Sequence, residues 1–204
     1  MRLFHHPMSS NARRAVMTAL HLGRKVDLVF VDLGKGEQRT PEFLARNPNG
    51  RVPVLDDDGF VLTESHAIMQ YLAETTPGQT LYPEAPRARA DVNRWMFWSA
   101  QHLQPAVAVL NWERNIKPMI GQGPADPHEE ARGERLVAEC AKVFDAHLAG
   151  KEWVAQDRLT LADFALAATL MVQEKVKAST LACPNIQAWL RRVQATDAWK
   201  KTSL

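Results

Sequence analysis

What this 204-residue chain has little of narrows its class first. It carries only two cysteines, Cys140 and Cys183, isolated from one another, so neither a disulfide framework nor a cysteine zinc site is expected. A reducing, cytosolic compartment fits that usage. No apolar run approaches the roughly 20 residues that span a bilayer. The opening Met1-Arg2-Leu3-Phe4-His5-His6-Pro7 has no apolar segment of signal-peptide type, so no membrane partner is expected. Charge of one sign is also scarce. The 25 basic and 23 acidic residues are interspersed and leave a formal charge of +2, with no basic stripe of the kind that grips nucleic acid. Internal repeats and low-complexity tracts are absent. What remains is ordinary globular composition, 46% hydrophobic and 24% charged, long enough for one large or two small domains.

The two halves follow different periods. Leu3-Phe4 begin a short apolar segment ended by Pro7, read as a strand. Ala12, Ala15, Val16, Ala19 and Leu20 recur at helical spacing before Gly23. Residues 25–31 are β-branched and apolar, which predicts a second strand. Thr40-Pro41 pairs an N-cap with a first-turn proline and predicts a short helix to Arg46. Residues 52–55 and 60–62 flank Asp56-Asp57-Asp58-Gly59, a hairpin signal, and a helix is predicted over 65–74. The order is β-α-β-α-β-β-α, filling residues 1–76. Residues 77–86, rich in proline and glycine, read as a linker. Beyond it, over 87–204, only helices are predicted: 87–117, 128–148, 161–172 and 185–194. Thr160-Leu161-Ala162-Asp163 has the spacing of a capping box.

Three segments carry the chemistry: Pro7-Met8-Ser9-Ser10-Asn11-Ala12-Arg13-Arg14, Asn47-Pro48-Asn49-Gly50-Arg51-Val52-Pro53-Val54-Leu55 and Thr63-Glu64-Ser65-His66-Ala67-Ile68. In order and spacing they resemble the glutathione-site segments of the glutathione transferase family, most closely its serine-using phi- and theta-like bacterial and plant members. The resemblance covers essentially the whole chain. It implies a thioredoxin-like domain followed by an all-helical bundle, glutathione as co-substrate without a metal, a hydrophobic electrophile as second substrate, and a homodimer.

A strand end followed by Ser9-Ser10-Asn11 at a helix start directs hydroxyls and unsatisfied N–H groups at one spot, which suits an anion. The resemblance assigns Ser9 to hold the glutathione sulfur as thiolate, with Ser10 as the alternative and a simple N-cap as the plain reading of either. It places Asn11 and Arg13 beside them, although Arg13-Arg14 also reads as a solvated surface pair. It implies a cis bond at Val52-Pro53, with the Val52 main chain pairing to the tripeptide by strand addition; an edge-strand trans proline is the ordinary alternative. Glu64 and Ser65 are matched to the γ-glutamyl ammonium and carboxylate, and Gln38 and Arg39 to the glycyl carboxylate. Asn111 and Trp112 are candidates for the second-substrate pocket. His5-His6, without an acid or thiol at ligand spacing, reads as an incidental pair. Isomerase, peroxidase or dehalogenase chemistry with glutathione, or a non-catalytic binding protein on the same fold, are the competing functions.

Overall fold

The computed structural model describes residues 1–203. They form two compact units, one of residues 1–82 together with 195–203, the other of residues 83–194. In the first, β1 (Arg2–His5), α1 (Ser10–His21), β2 (Asp27–Phe30), α2 (Pro41–Arg46), β3 (Val54–Asp57), β4 (Phe60–Leu62) and α3 (Ser65–Glu74) follow in that order. The sheet order is β2-β1-β3-β4. β1 and β2 are parallel across the α1 crossover, with His5 opposite Phe30. β3 runs antiparallel to β1, Phe4 opposite Val54, and β4 antiparallel to β3, Leu55 opposite Leu62.

Alternation along β1 sends neighbouring side chains to opposite faces. Leu3 packs with Ala15, Val16 and Ala19 of α1, Leu55, and Ile68 and Leu72 of α3. Phe4 packs on the other side with Ala12, Val31, Phe43, Val52 and Val54. Leu3, Leu55, Ile68 and Leu72 are fully buried, each worth about 1.5–3 kcal/mol relative to exposure.

Strand limits differ from those predicted for local reasons. β3 begins at Val54 rather than Val52, because Val52-Pro53 is cis and a proline offers no ladder N–H. The hairpin strands reach inward to pair Asp57 with Phe60. Its two-residue turn is therefore Asp58-Gly59, both at positive φ as a type I′ turn requires. α1 stops where predicted, just before Gly23 at φ +65°.

The second unit is helical throughout: α4 (Pro86–Trp98), α5 (Gln104–Asn111), α6 (Lys117–Met119), α7 (Pro127–Leu148), α8 (Leu161–Thr169) and α9 (Pro184–Gln194). The single helix predicted over 87–117 is interrupted by two π-helical turns, Ser99–Leu103 and Trp112–Ile116. Each spans the residue four before a proline, Gln101 before Pro105 and Arg114 before Pro118, whose ring forbids the ordinary α turn there. Gly133 of α7 lets α5 approach closely: a Cβ there would sit 2.9 Å from Leu110 Cδ2 and 3.0 Å from Val109 Cγ1.

The capping box at Thr160 forms, and Asp163 does more than cap. Its buried carboxylate accepts from the Thr160 N–H and hydroxyl, from Val154 N–H at 2.9 Å and from Trp189 Nε1 at 2.8 Å. One side chain thus joins the loop before α8, α8 itself and α9. Burial pushes its pKa up to about 6 against the pull of those donors. Trp95, Trp98, Phe144 and Trp189 form an aromatic cluster in this unit. No helix among the described residues is long and apolar enough to cross a membrane.

The boundary at the chain's end differs from the 87–204 domain read from sequence. Residues 195–203, including α10 (Asp197–Lys200), pack with the first unit against α1.

Candidate active site

The sheet topology gathers the predicted residues of the first unit at one end. β1 ends at His5 and leads into Ser9. β3 opposes β1, so Val52-Pro53, just before Val54, lie at that same end. β4 opposes β3 and finishes at Leu62, which delivers Glu64-Ser65 there. β2 runs parallel to β1, so the loop after Phe30, carrying Gln38 and Arg39, also starts from that end. Strand direction brings the starts of four separated segments to one rim.

Ser9 is the N-cap of α1, at φ −88° and ψ 113°. Its Oγ accepts from Ala12 N–H at 3.2 Å, and its carbonyl accepts from Arg13 N–H at 2.9 Å. A hydroxyl has one donor and two acceptor sites, so capping leaves the Ser9 proton available to another partner. Ser10 and Asn11 open the helix, both half-buried. The first turn of α1 contains no acid, so nothing there offsets the positive end of its dipole. Upstream, His6 has local tasks: Nδ1 accepts Met8 N–H at 3.2 Å, and its ring lies 5.3 Å from that of Phe30.

The Val52-Pro53 bond is cis, as the resemblance implied. Val52 is 7% exposed, yet among the described residues neither its N–H nor its C=O takes a hydrogen-bond partner. The turn before it is tightly held: Asn47 Nδ2 donates to Arg51 O at 2.7 Å, and Asn47 Oδ1 accepts Asn49 N–H at 3.1 Å. Gly50, at φ +59°, approaches the loop of Gln38 so closely that a Cβ would lie 3.1 Å from Gln38 O. This contact sets Gln38 beside the residues leading to Val52. Among the described residues the buried Gln38 Oε1 has no donor, and Arg39 next to it is exposed.

Glu64 adopts φ +65° and ψ 110° immediately before α3, with no cap bond from its side chain. Such a conformation costs a non-glycine residue about 1–3 kcal/mol and persists only where its surroundings impose it. Ser65, the first residue of α3, is buried, and the first turn of α3 also lacks an acid.

Both arginines after the serines are buried, which corrects the surface-pair reading. Arg14 is wholly enclosed between α1 and α3, where Nη1 lies 2.9 Å from His66 Nε2 and 3.3 Å from Nδ1. Burial lowers the Arg14 pKa to about 9, so it stays charged at neutral pH. Burial first, and the Arg14 charge second, lower His66 to about 3. The imidazole is neutral and accepts from the guanidinium. Arg13 turns instead to the C-terminal segment, its guanidinium 3.8 Å from the centre of the Trp199 ring. Sequence reasoning missed both roles. The available signal was the unbroken apolar and small run around the pair, which leaves α1 no solvated face from Ala12 to Ala19.

Asn111 and Trp112 lie in the helical unit where α5 passes into the second π turn. Asn111 Oδ1 accepts from Asn115 Nδ2 at 2.8 Å, and Trp112 is 42% exposed.

A small mixed sheet flanked by helices, with a cis-proline edge and two helix starts at one rim, followed by a helical unit, defines a thioredoxin-like domain joined to an all-α domain. Comparison with known proteins agrees. Residues 1–74 match the family description "Glutathione S-transferase, N-terminal domain", and residues 106–197 match "Glutathione S-transferase, C-terminal domain". The chain is 34% identical to glutathione S-transferase F10 of Arabidopsis thaliana, over 97% of this chain and 94% of the relative. Glutathione transferase F7 of Populus trichocarpa superposes with a TM-score of 0.91 at 27% identity, covering 98% of this chain and 96% of that one. A glutathione S-transferase-I solved with lactoylglutathione gives 0.87 at 25% identity, over 99% and 97%. The chain belongs to the glutathione S-transferase family.

Proposed function

We propose that this transferase binds glutathione along the rim of its first unit, ionises the thiol at Ser9, and adds the thiolate to an apolar electrophile. The observation that carries the reading is the unpartnered main chain of buried Val52 at the cis-proline edge. An extended tripeptide satisfies such an edge by strand addition. A relative solved with lactoylglutathione supports a glutathione-type ligand.

In this assignment Ser9 donates its hydroxyl proton to the sulfur while keeping its acceptor role to Ala12, and Ser10 is the alternative donor. Lowering a thiol pKa by two units requires about 2.7 kcal/mol. A hydrogen bond to a charged group supplies about 1.5–3 kcal/mol, and a helix N-terminus adds about 0.3–1 kcal/mol. One hydroxyl at the mouth of α1 therefore suffices, with no general base and no metal. Ser65 and the N–H groups opening α3 take the γ-glutamyl carboxylate, Glu64 its ammonium, and Asn11 borders the sulfur. Gln38 and Arg39 meet the glycyl carboxylate. Asn111 and Trp112 are assigned to the second-substrate pocket. A cytoplasmic homodimer acting in detoxification completes the proposal; light scattering at the mass of one 22.9 kDa chain would contradict the dimer.

The test is Ser9→Ala, followed by the ultraviolet absorbance of bound thiolate against pH and by turnover of a chlorodinitrobenzene-type electrophile. The bound thiol pKa rises and turnover falls while glutathione affinity changes little. The same phenotype in Ser10→Ala with Ser9→Ala silent would move the role to Ser10. Absence of any glutathione affinity at millimolar concentration would reject the assignment.

A further inference from the structure

The end of the chain is fastened to the helix turn that carries Ser9. Arg13 donates its backbone N–H to Ser9 O at 2.9 Å. Its side chain points the other way along the same residue. Nε donates to Thr202 Oγ1 at 3.1 Å, and Nη2 to Trp199 O and Ser203 Oγ, each at 3.4 Å. The guanidinium plane covers the Trp199 indole at 3.8 Å. Arg13 is 7% exposed and Trp199 8%, so the stack is largely desolvated, where cation–π attraction is strongest. α10 itself is only four residues long, capped by Thr196 Oγ1 accepting from Trp199 N–H at 3.3 Å. So short a helix has little stability of its own; the Arg13 side chain, the Trp199 face and buried Ala198 are among what holds it to the first unit.

We propose that Arg13 is a positioning residue: it couples residues 197–203 to the first turn of α1, so that docking of the chain's end sets the orientation of the Ser9 hydroxyl. Main chain and side chain of one residue grip the two partners. Loosening either grip frees the N-cap to rotate away from its position. The consequence for sulfur chemistry rests on the Ser9 assignment above; the coupling does not.

The experiment compares Arg13→Met, Trp199→Leu and the milder Thr202→Val, each as the full chain with folding checked by circular dichroism. Amide hydrogen exchange without glutathione reads the coupling. Faster exchange is expected both in residues 198–203 and in residues 10–13 for every folded variant, including Trp199→Leu and Thr202→Val, which leave the Arg13 charge in place. Bound-thiolate titration is expected to show the thiol pKa raised by about half a unit or more, roughly a threefold loss of affinity for the ionised form, with the Michaelis constant for glutathione changed less than kcat. Exchange confined to residues 198–203 overturns the proposal. So does a pKa shift in Arg13→Met that Trp199→Leu and Thr202→Val lack, since Arg13 would then act as a charge. Coupled exchange in a chain that fails to bind glutathione would uphold the coupling and reject the Ser9 assignment instead.

Discussion

Replacing His66 by glutamine tests the buried pair that joins α1 to α3. His66 has a folded pKa of about 3 against an unfolded value of 6.5, with burial the larger cause and Arg14 the second. A base whose folded pKa lies below its unfolded value binds fewer protons when folded. Stability is therefore complete above pH 6.5 and falls as pH drops below it, by up to about 1.4 kcal/mol per pH unit. The whole interval corresponds to about 5 kcal/mol, reached only near pH 3. Between pH 7.5 and 5.5 the unfolded imidazole goes from mostly neutral to mostly charged while the folded one stays neutral, so this single group removes about 1.3 kcal/mol. Glutamine keeps an acceptor for Arg14 Nη1 and does not titrate. Urea unfolding at both pH values gives the two free energies by linear extrapolation. Other histidines, His5 and His21 among them, also have lowered pKa values, so the deciding quantity is the wild-type loss minus the loss in His66→Gln. A difference of about 1.3 kcal/mol is expected. Equal losses in the two proteins would mean that the imidazole is not held neutral against Arg14, and the account of this pair would fail.

Two other substitutions report on different parts of the fold. Gly133→Ala improves intrinsic helix propensity by about 1 kcal/mol, yet its Cβ would press on Leu110 and Val109 at 2.9 and 3.0 Å. Overpacking of about 1–3 kcal/mol is expected to win, lowering the thermal midpoint; an unchanged or raised midpoint would show that α5 and α7 can separate freely. At residue 64, held at φ +65°, glycine should give a protein more stable than alanine does, by about 1 kcal/mol in urea titrations. Both variants should bind glutathione more weakly, because both lose the carboxylate; equal stability of the two would remove the argument for backbone strain there.

Much of this was written locally. Thr40-Pro41 and Thr160 with Asp163 announce helix starts because a cap and its N–H partner lie within three residues of each other. The short apolar segment at Leu3-Phe4 and the Asp58-Gly59 turn are equally short-range. The helix predicted over 87–117 takes no account of Pro105 or of Pro118 just beyond it, and each disturbs a carbonyl four residues earlier. Arg13 and Arg14 read as solvated because charge is normally exposed; their partners, Trp199 and His66, are 186 and 52 residues away.

By itself, then, the amino-acid order determined the element sequence and the division into a mixed and a helical half, since each depends on contacts within a few residues; the site residues were named through the resemblance of three short segments to the family. Tertiary structure alone decided that residues 197–203 return to α1, that two adjacent arginines leave solvent in different directions, and that the main chain of Val52 is left without partners among the described residues. Those outcomes depend on strand direction and on which distant surface meets a side chain, information that no local window of residues carries.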